Sequence, residues 1–349
     1  MSADTVFGRL GTYLLPGRVV DPTRGPSDAL DAETLGLGAV WLSDRWDQKE
    51  AGAMLGAIAQ ATSKIRIATG ITHPSTRHPL VLAGMAATLQ ALSGGRFILG
   101  LGRSVPMIWR AMGIRPPTTQ ALADLANVLR RLWAGETVSY HGPLGDFPNL
   151  RVAHRYEDAP PALVLAAMGP KTLAMTGEAY DGVLLHPFLT TEAVARSVKT
   201  VRDSAKRAGR DPASVRVYAV VVAAPSLPPE HESAIVGGRA ITYLQAPGFG
   251  ELLVGVNGWD VTVLGKLRSH PLLASLGKGL ADHAFTLEQL GEVAKVLPEA
   301  WIREGAAVGN PKRCAERVRE YLDAGADEIV LHGNVPSALN ELIGEVRAR

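Results

Sequence analysis

Thr69-Gly70-Ile71-Thr72-His73-Pro74-Ser75-Thr76-Arg77-His78-Pro79 is the stretch from which the rest of the chain can be read. It joins an apolar run, 65–71, to an apolar helical stretch, 79–92. That stretch stops at Gly94-Gly95, and a second apolar run, 97–101, follows. Each proline pushes the histidine before it out of helical backbone, and Pro79 suits the first position of a helix. The paired glycines supply the left-handed stop that ends many helices. The unit is therefore strand, turn, helix, strand, and two strands joined through a helix pair in parallel. Gly70 lies inside the first strand, where glycine marks a bulge or the close approach of another group.

The same unit repeats outward in both directions. Toward the N-terminus lie a strand at 11–15, a helix at 27–36 with Ser27 as N-cap, a strand at 39–42 and a helix at 48–62. Toward the C-terminus come a helix at 118–133, strand 162–167, helix 171–180, strand 182–185, helix 192–208 and strand 215–223. Helix 311–324, strand 328–331 and helix 337–346 complete the series. Strands that alternate with helices predict an α/β fold, a parallel sheet covered on both faces. This number of units predicts closure into a (β/α)8 TIM barrel, with an open doubly wound sheet as the alternative. Two stretches break the rhythm. Residues 135–160 read as a small hairpin or extended loop, from Val138-Ser139-Tyr140 and Leu150-Arg151-Val152 around Gly142-Pro143. Residues 225–309 read as an irregular helical insertion. The expectation is one barrel domain, 1–349, with insertions after strands four and seven. Both fall on the C-terminal side of strands, where barrel active sites are built.

Bulk composition agrees with an enzyme of this size. The chain has 349 residues, 46% apolar and 20% charged, which excludes a disordered class. Its net charge is +2 with scattered Lys and Arg, so no nucleic-acid partner is expected. No uninterrupted apolar stretch is long enough for a bilayer, so no membrane span is expected. Residues 1–9 lack the pattern of a secretory signal, and the single Cys314 cannot close an intrachain disulfide. A reducing cytoplasmic setting is expected, with Cys314 as buried filler.

Candidate chemistry sits at strand ends. Strand two ends in Ser43-Asp44-Arg45-Trp46, a carboxylate, a guanidinium and an indole leaving together; a loop ion pair and a packing Trp is the plain alternative. Strand three brings His73, Arg77 and His78. The two histidines are five apart with no carboxylate beside them, so no metal is predicted. Strand four ends in Gly100-Leu101-Gly102-Arg103-Ser104, where small residues admit a ring or phosphate and Arg103 can pair with an anion. Val105 stands where a dinucleotide fingerprint needs its third glycine. Strand five runs through Ala167-Met168-Gly169-Pro170-Lys171 into a helix start, whose free amides and dipole make an anion site. His186 and His332 close strands six and eight, facing the predicted mouth.

These segments resemble a known family. Thr69-Gly70-Ile71-Thr72-His73-Pro74 with Thr76-Arg77-His78-Pro79 is similar to the strand-three motif of the methylenetetrahydromethanopterin reductases, deazaflavin-dependent members of the luciferase-like superfamily. Ser93-Gly94-Gly95-Arg96-Phe97-Ile98-Leu99-Gly100-Leu101-Gly102, Ala167-Met168-Gly169-Pro170-Lys171 with Ala179-Tyr180-Asp181-Gly182, and Tyr321-Leu322-Asp323-Ala324-Gly325-Ala326-Asp327-Glu328 resemble other parts of that superfamily. The resemblance implies an oxidoreductase that binds coenzyme F420, or alternatively FMN, at the strand ends. It implies a cis peptide bulge at Gly70-Ile71 behind the ring, phosphate near Ala167 to Lys171, and a homodimer. On this reading Asp44 and His73 are catalytic candidates. Thr69, Gly70, Ile71, Gly102, Arg103, Ser104, Ala167, Met168, Gly169, Pro170, Lys171 and His186 hold the cofactor, and Trp46 and Arg77 contact a small-molecule substrate. Sugar-phosphate-oxidising relatives carry a histidine where Arg45 stands, and relatives often carry an acid near Ser104 and Val105, so sugar-phosphate oxidation is not expected. Hydride transfer with the deazaflavin is the leading function. An FMN-dependent monooxygenase and a binding protein without turnover are the alternatives.

Overall fold

The computed structural model describes residues 8–17, 19, 21–45, 48–153, 159–277, 279 and 281–348. The strands are β1 (Leu10–Tyr13), β2 (Ala39–Leu42), β3 (Arg66–Thr69), β4 (Phe97–Leu101), β5 (Val138–Gly142), β6 (Gly145–Leu150), β7 (Ala162–Ala167), β8 (Gly182–Leu185), β9 (Arg216–Pro225), β10 (Ala306–Gly309) and β11 (Glu328–His332). β1, β2, β3, β4, β7, β8, β9 and β11 are all parallel, and the sheet closes as β8 pairs with β9, β9 with β11 and β11 with β1. The chain is a (β/α)8 barrel.

The helices that cover it are α1 (Arg24–Thr34), α2 (Ala51–Ala61), α3 (Pro79–Leu92), α4 (Pro106–Met112), α5 (Thr119–Trp133), α6 (Pro170–Ala179) and α7 (Thr191–Arg207). The long insertion contributes α8 (Pro229–Glu232), α9 (Gly238–Leu244), α10 (Phe249–Asn257), α11 (Thr262–Arg268), α12 (Pro271–Ser275), α13 (Ala281–Ala284), α14 (Leu287–Ala294) and α15 (Glu299–Gly305). The outer ring ends with α16 (Pro311–Asp323) and α17 (Asn340–Arg347).

Four local features differ from expectation. The first helix starts at Arg24, and Ser27 does not cap it; its hydroxyl donates to the Arg24 carbonyl inside the first turn. Pro26 fits there because amides of the first turn need no intrahelical partner. The short α4, just after the fourth barrel strand, was not anticipated. β10 was also missed: four residues carry too little periodicity to stand out among helices. It pairs with the upper end of β9, Ala306 opposite Val222 through Gly309 opposite Pro225, and so returns the insertion to the barrel rim. The hairpin at 138–150 exists, with its second strand earlier than 150–152. Gly145 turns it at φ 145°, a value open to glycine, and Phe147 stacks on Tyr140.

Alternation along each strand sends one set of side chains inward. On β11 these are Glu328, Val330 and His332 in ascending order. Trp41, Ala68, Ile98, Val164, Tyr218 and Val330 pack together as the barrel's own core. A larger apolar layer lies between strands and helices. Below the inner core the Glu328 carboxylate, 1% exposed, bridges Arg66 at 2.6 Å and Arg216 at 2.7 Å. Above it lies the open mouth.

Candidate active site

The mouth is shaped first by a break in the sheet. β3 pairs with β4 through Ala68, and pairing resumes only where Thr72 meets Leu101. Between them the Thr69 side chain takes over the ladder's hydrogen bonds: its hydroxyl donates to the Gly100 carbonyl at 2.8 Å and accepts from the Gly100 amide at 2.7 Å. The Gly70–Ile71 peptide bond in this bulge is cis. A Cβ on Gly100 would stand 2.0 Å from the Thr69 carbonyl oxygen, and one on Gly102 would stand 2.8 Å from Ile71 Cγ1. Gly100 therefore excludes any side chain, a side chain at 102 would have to displace Ile71, and Ile71 lies over Gly102 as a wall.

Beside the bulge a polar cluster locks the ends of β2 and β3 together. Asp44 Oδ2 accepts from the Thr72 hydroxyl at 2.6 Å and from Arg77 Nη1 at 2.7 Å, while Oδ1 accepts from the Ala51 amide at 3.1 Å. Arg77 also donates to Glu50, which caps α2 by accepting from the Ala53 amide. The Asp44 carboxylate is fully buried, at 0% exposure. Arg77, expected to touch substrate, is instead engaged by Asp44, Thr72 and Glu50. The physical reason is sequence spacing: the turn before Pro79 brings Arg77 back over the start of α2. His73 is likewise sealed at 0% exposure. Its Nδ1 accepts from the Ser75 amide at 3.1 Å, and the Trp109 indole N–H, 3.1 Å from its Nε2, also donates to the Arg103 carbonyl beside it. Burial lowers its pKa, with the Arg103 carbonyl opposing. Trp46 lies outside the described residues.

The neighbouring strand ends, β4 and β7, carry the residues expected to meet an anion. Arg103 donates to the Thr119 hydroxyl at 2.5 Å, but its Nε is buried with no partner among the described residues. Ser104 holds a left-handed backbone, φ 60°. β7 ends in Ala167, and Met168 is buried. α6 then begins at Pro170 behind Gly169, with no side chain capping it, which leaves its first-turn amides open. Lys171 is exposed at this start. A Cβ on Gly169 would meet only Leu252 of α10, at 3.7 Å, so the insertion reaches over this turn.

His186 directly follows β8 under that roof. Its Nδ1 lies 2.6 Å from the Pro187 carbonyl and must donate to it, which leaves Nε2 as the acceptor. Tyr243 and Phe249 meet its ring edge-on at 4.4 and 4.9 Å. Burial pushes its pKa down to about 4. The insertion also closes on Arg45, whose guanidinium binds Asp282 at 2.8 Å.

Tyr13 escaped the sequence reading, and His332 was underweighted in it. Tyr13 ends β1, and its hydroxyl would lie 3.0 Å from a Cβ on Gly70, against the bulge. Burial raises its pKa, so the phenol stays protonated. Its ring packs on His332 at 4.7 Å. Tyr13 sits at an inward position of a four-residue strand, and only the register of the closed barrel reveals that. No group of three or more His, Cys, Asp or Glu that could hold a metal occurs among the described residues.

A closed parallel barrel with a bulged third strand, a cradle free of side chains and an uncapped helix at the fifth strand defines a class, and comparison identifies it. The chain belongs to the luciferase-like family: the profile of the luciferase-like monooxygenases matches residues 28–328. It is 30% identical over 304 residues to the 5,10-methylenetetrahydromethanopterin reductase of Methanolobus tindarius, with 86% of each chain covered. It is 26% identical over 337 residues to an F420-dependent glucose-6-phosphate dehydrogenase of Amycolatopsis mediterranei, covering 88% of this chain and 89% of that one. Its fold matches the coenzyme F420 dependent tetrahydromethanopterin reductase from Methanopyrus kandleri with a TM-score of 0.80 at 23% identity over 97% of both chains.

Proposed function

We propose that this chain is a coenzyme F420-dependent oxidoreductase that transfers a hydride between the deazaflavin and a small organic substrate at the barrel mouth. The names of its relatives support the cofactor. The residues fit it. Ile71 over Gly102 offers a flat apolar wall, and the open amides at the start of α6, with the unpartnered Arg103 Nε at the adjacent strand end, suit its phosphate. That Nε, without an acceptor among the described residues, is the observation that carries the reading, because a buried guanidinium nitrogen without one costs free energy until an anion supplies it.

Thr69, Gly70, Ile71 and Gly102 would support the ring, while Ala167, Met168, Gly169, Pro170, Lys171, Arg103 and Ser104 would hold the phosphate end. When bound, the deazaflavin supplies or takes up a hydride at C5. Reduction of a polarised double bond also needs a proton, and the Tyr13 hydroxyl is held protonated against the bulge to donate one or to polarise the bond. His186 presents Nε2 as a neutral acceptor that orients a donor on either ligand. Asp44 and His73 serve as positioning residues, the first holding the bulge to α2 through Thr72 and Arg77, the second holding the Arg103 carbonyl. Fixed geometry of this kind contributes roughly 7–11 kcal/mol in favourable cases. Anaerobic assays with reduced F420 and a panel of enones, imines and aldehydes test the reading. Oxidation of the deazaflavin coupled to substrate reduction is the expected result. Product formed only with FMN and oxygen would replace it with the monooxygenase.

Three further features support a cytoplasmic setting and a homodimer. No helix among the described residues is long and apolar enough to cross a membrane. The lone Cys314 is buried and its thiol is pushed up to about 12, as suits a reducing cytoplasm. α2 and α3 contain no charged residue, yet Ala53, Ala57, Val81 and Leu92 on them are exposed. Such a face favours a homodimer. Val81→Arg should yield a monomer in sedimentation, and an unchanged sedimentation coefficient would exclude this face.

A further inference from the structure

Across the mouth from β4 and β7, where the phosphate is placed, lie β1 and β11. In the closed strand order these two pairs face each other over the barrel axis. The β1–β11 side carries its own positive charge. Arg239, on α9 of the insertion, approaches Gly17, whose added Cβ would lie 3.9 Å from Arg239 Nη2. Arg239 has no hydrogen-bond or ion-pair partner among the described residues, though its charge acts on Tyr13 and His332. The Lys49 ammonium is buried nearby, donating to the Leu15 carbonyl, and also acts on His332. His332 is 8% exposed, and its Nδ1 is buried without a partner among the described residues. Leu15 and Ser226, just beyond β1 and β9, hold left-handed backbone at φ 48° and 56°, as residues at binding sites often do.

We infer that Arg239, with His332 and the Lys49 charge beside it, binds an anionic group of the substrate, a carboxylate or a phosphate, opposite the cofactor's phosphate and next to Tyr13. The inference rests on the F420 reading for the position of the cofactor. Two anion sites on opposite sides of one mouth place the reacting carbon of a substrate over the bulge between them. Burial and the neighbouring cations keep His332 neutral, so its ring can accept or donate one hydrogen bond without adding a repelled charge. A guanidinium matches either oxyanion with two parallel hydrogen bonds.

Calorimetric titration with inorganic phosphate and, separately, with succinate tests this, on the protein with and without F420. Arg239→Gln should weaken the better-bound anion by about tenfold or more and leave F420 affinity within about twofold. Arg239→Lys should recover part of the loss. Arg103→Gln should show the opposite pattern, losing F420 affinity and keeping the anion. The two titrants tell a phosphate-bearing from a carboxylate-bearing substrate. Equal anion binding by Arg239→Gln and the parent protein overturns the inference. So does a parallel loss of F420 affinity, which would assign Arg239 to the cofactor. Failure of the parent to bind F420 would instead overturn the cofactor reading, and the titration of the cofactor-free protein would still decide the role of Arg239.

Discussion

The two ends of the barrel are built from the same strands and treat charge in opposite ways. At the lower end every prominent charge has a partner. Glu328 lies between Arg66 and Arg216, Arg202 meets Asp327, and Arg130 meets Asp181. Burial and the Glu328 carboxylate push the Tyr218 phenol up to about 12, so that layer is charged only where it is paired. At the upper end Asp44, Arg77 and Glu50 are paired, but among the described residues Arg103 Nε and His332 Nδ1 are buried without partners and Arg239 has none. Leu15, Ser104, Phe188 and Ser226, all close behind strand ends, hold left-handed backbone. A closed lower face stabilises the fold; an upper face with unmet hydrogen-bonding capacity is prepared for ligands.

The contrast is broken most strongly from below. Glu328→Ala leaves two guanidinium groups without their buried partner. It should destabilise the protein by about 3 kcal/mol, at the low end for a broken buried pair because both arginines stay partly hydrated. Urea unfolding would measure this, and turnover per folded molecule should not change. An equal loss of turnover would mean that the lower face is not purely structural.

Tyr13→Phe makes the reverse cut. Turnover should fall about 100-fold, as for loss of a positioned proton donor, while stability changes by less than about 0.5 kcal/mol. A fall in stability with turnover preserved would return Tyr13 to the packing layer. Arg103→Ala is the smaller probe. F420 binding should weaken about tenfold, or about 1.4 kcal/mol, and depend less on salt. Affinity that is unchanged across salt concentrations would remove the phosphate from this strand end.

Acid supplies the mildest test. His73, His186 and His332 are all held neutral by burial, His186 with a pKa near 4. Below pH 6.5 the unfolded chain takes up protons that the folded mouth refuses, so stability present above pH 6.5 is lost as pH falls toward 4. His186→Phe should flatten that slope. Unaltered pH dependence in this variant would show that the ring is solvated in the folded protein.

How much of this was legible in the sequence depended on periodicity. The barrel was, because apolar runs and helical stretches alternate from the first strand to the last, and helix 79–92 was bounded by Pro79 and the Gly94-Gly95 stop. β10 and α4 were not, being too short to show a period. The glycine cradle and the uncapped start of α6 were visible as Gly100, Gly102 and Gly169-Pro170. The inward partnership of Asp44 with Arg77 was not, since two charges at strand ends read equally as ligands for a substrate and as each other's partner. Tyr13 and Arg239 needed the closed barrel, which brings the first strand, the last strand and a distant insertion to one rim.

The central claim is that the upper face is a deazaflavin site, and a paired titration tests it most directly. F420 and FMN would each be added to the same protein, following the cofactor's absorption spectrum and the binding heat. The account predicts one F420 per chain, bound more tightly than FMN, with the difference reduced in Arg103→Ala. FMN bound at least as tightly as F420, with Arg103→Ala affecting neither, would contradict it.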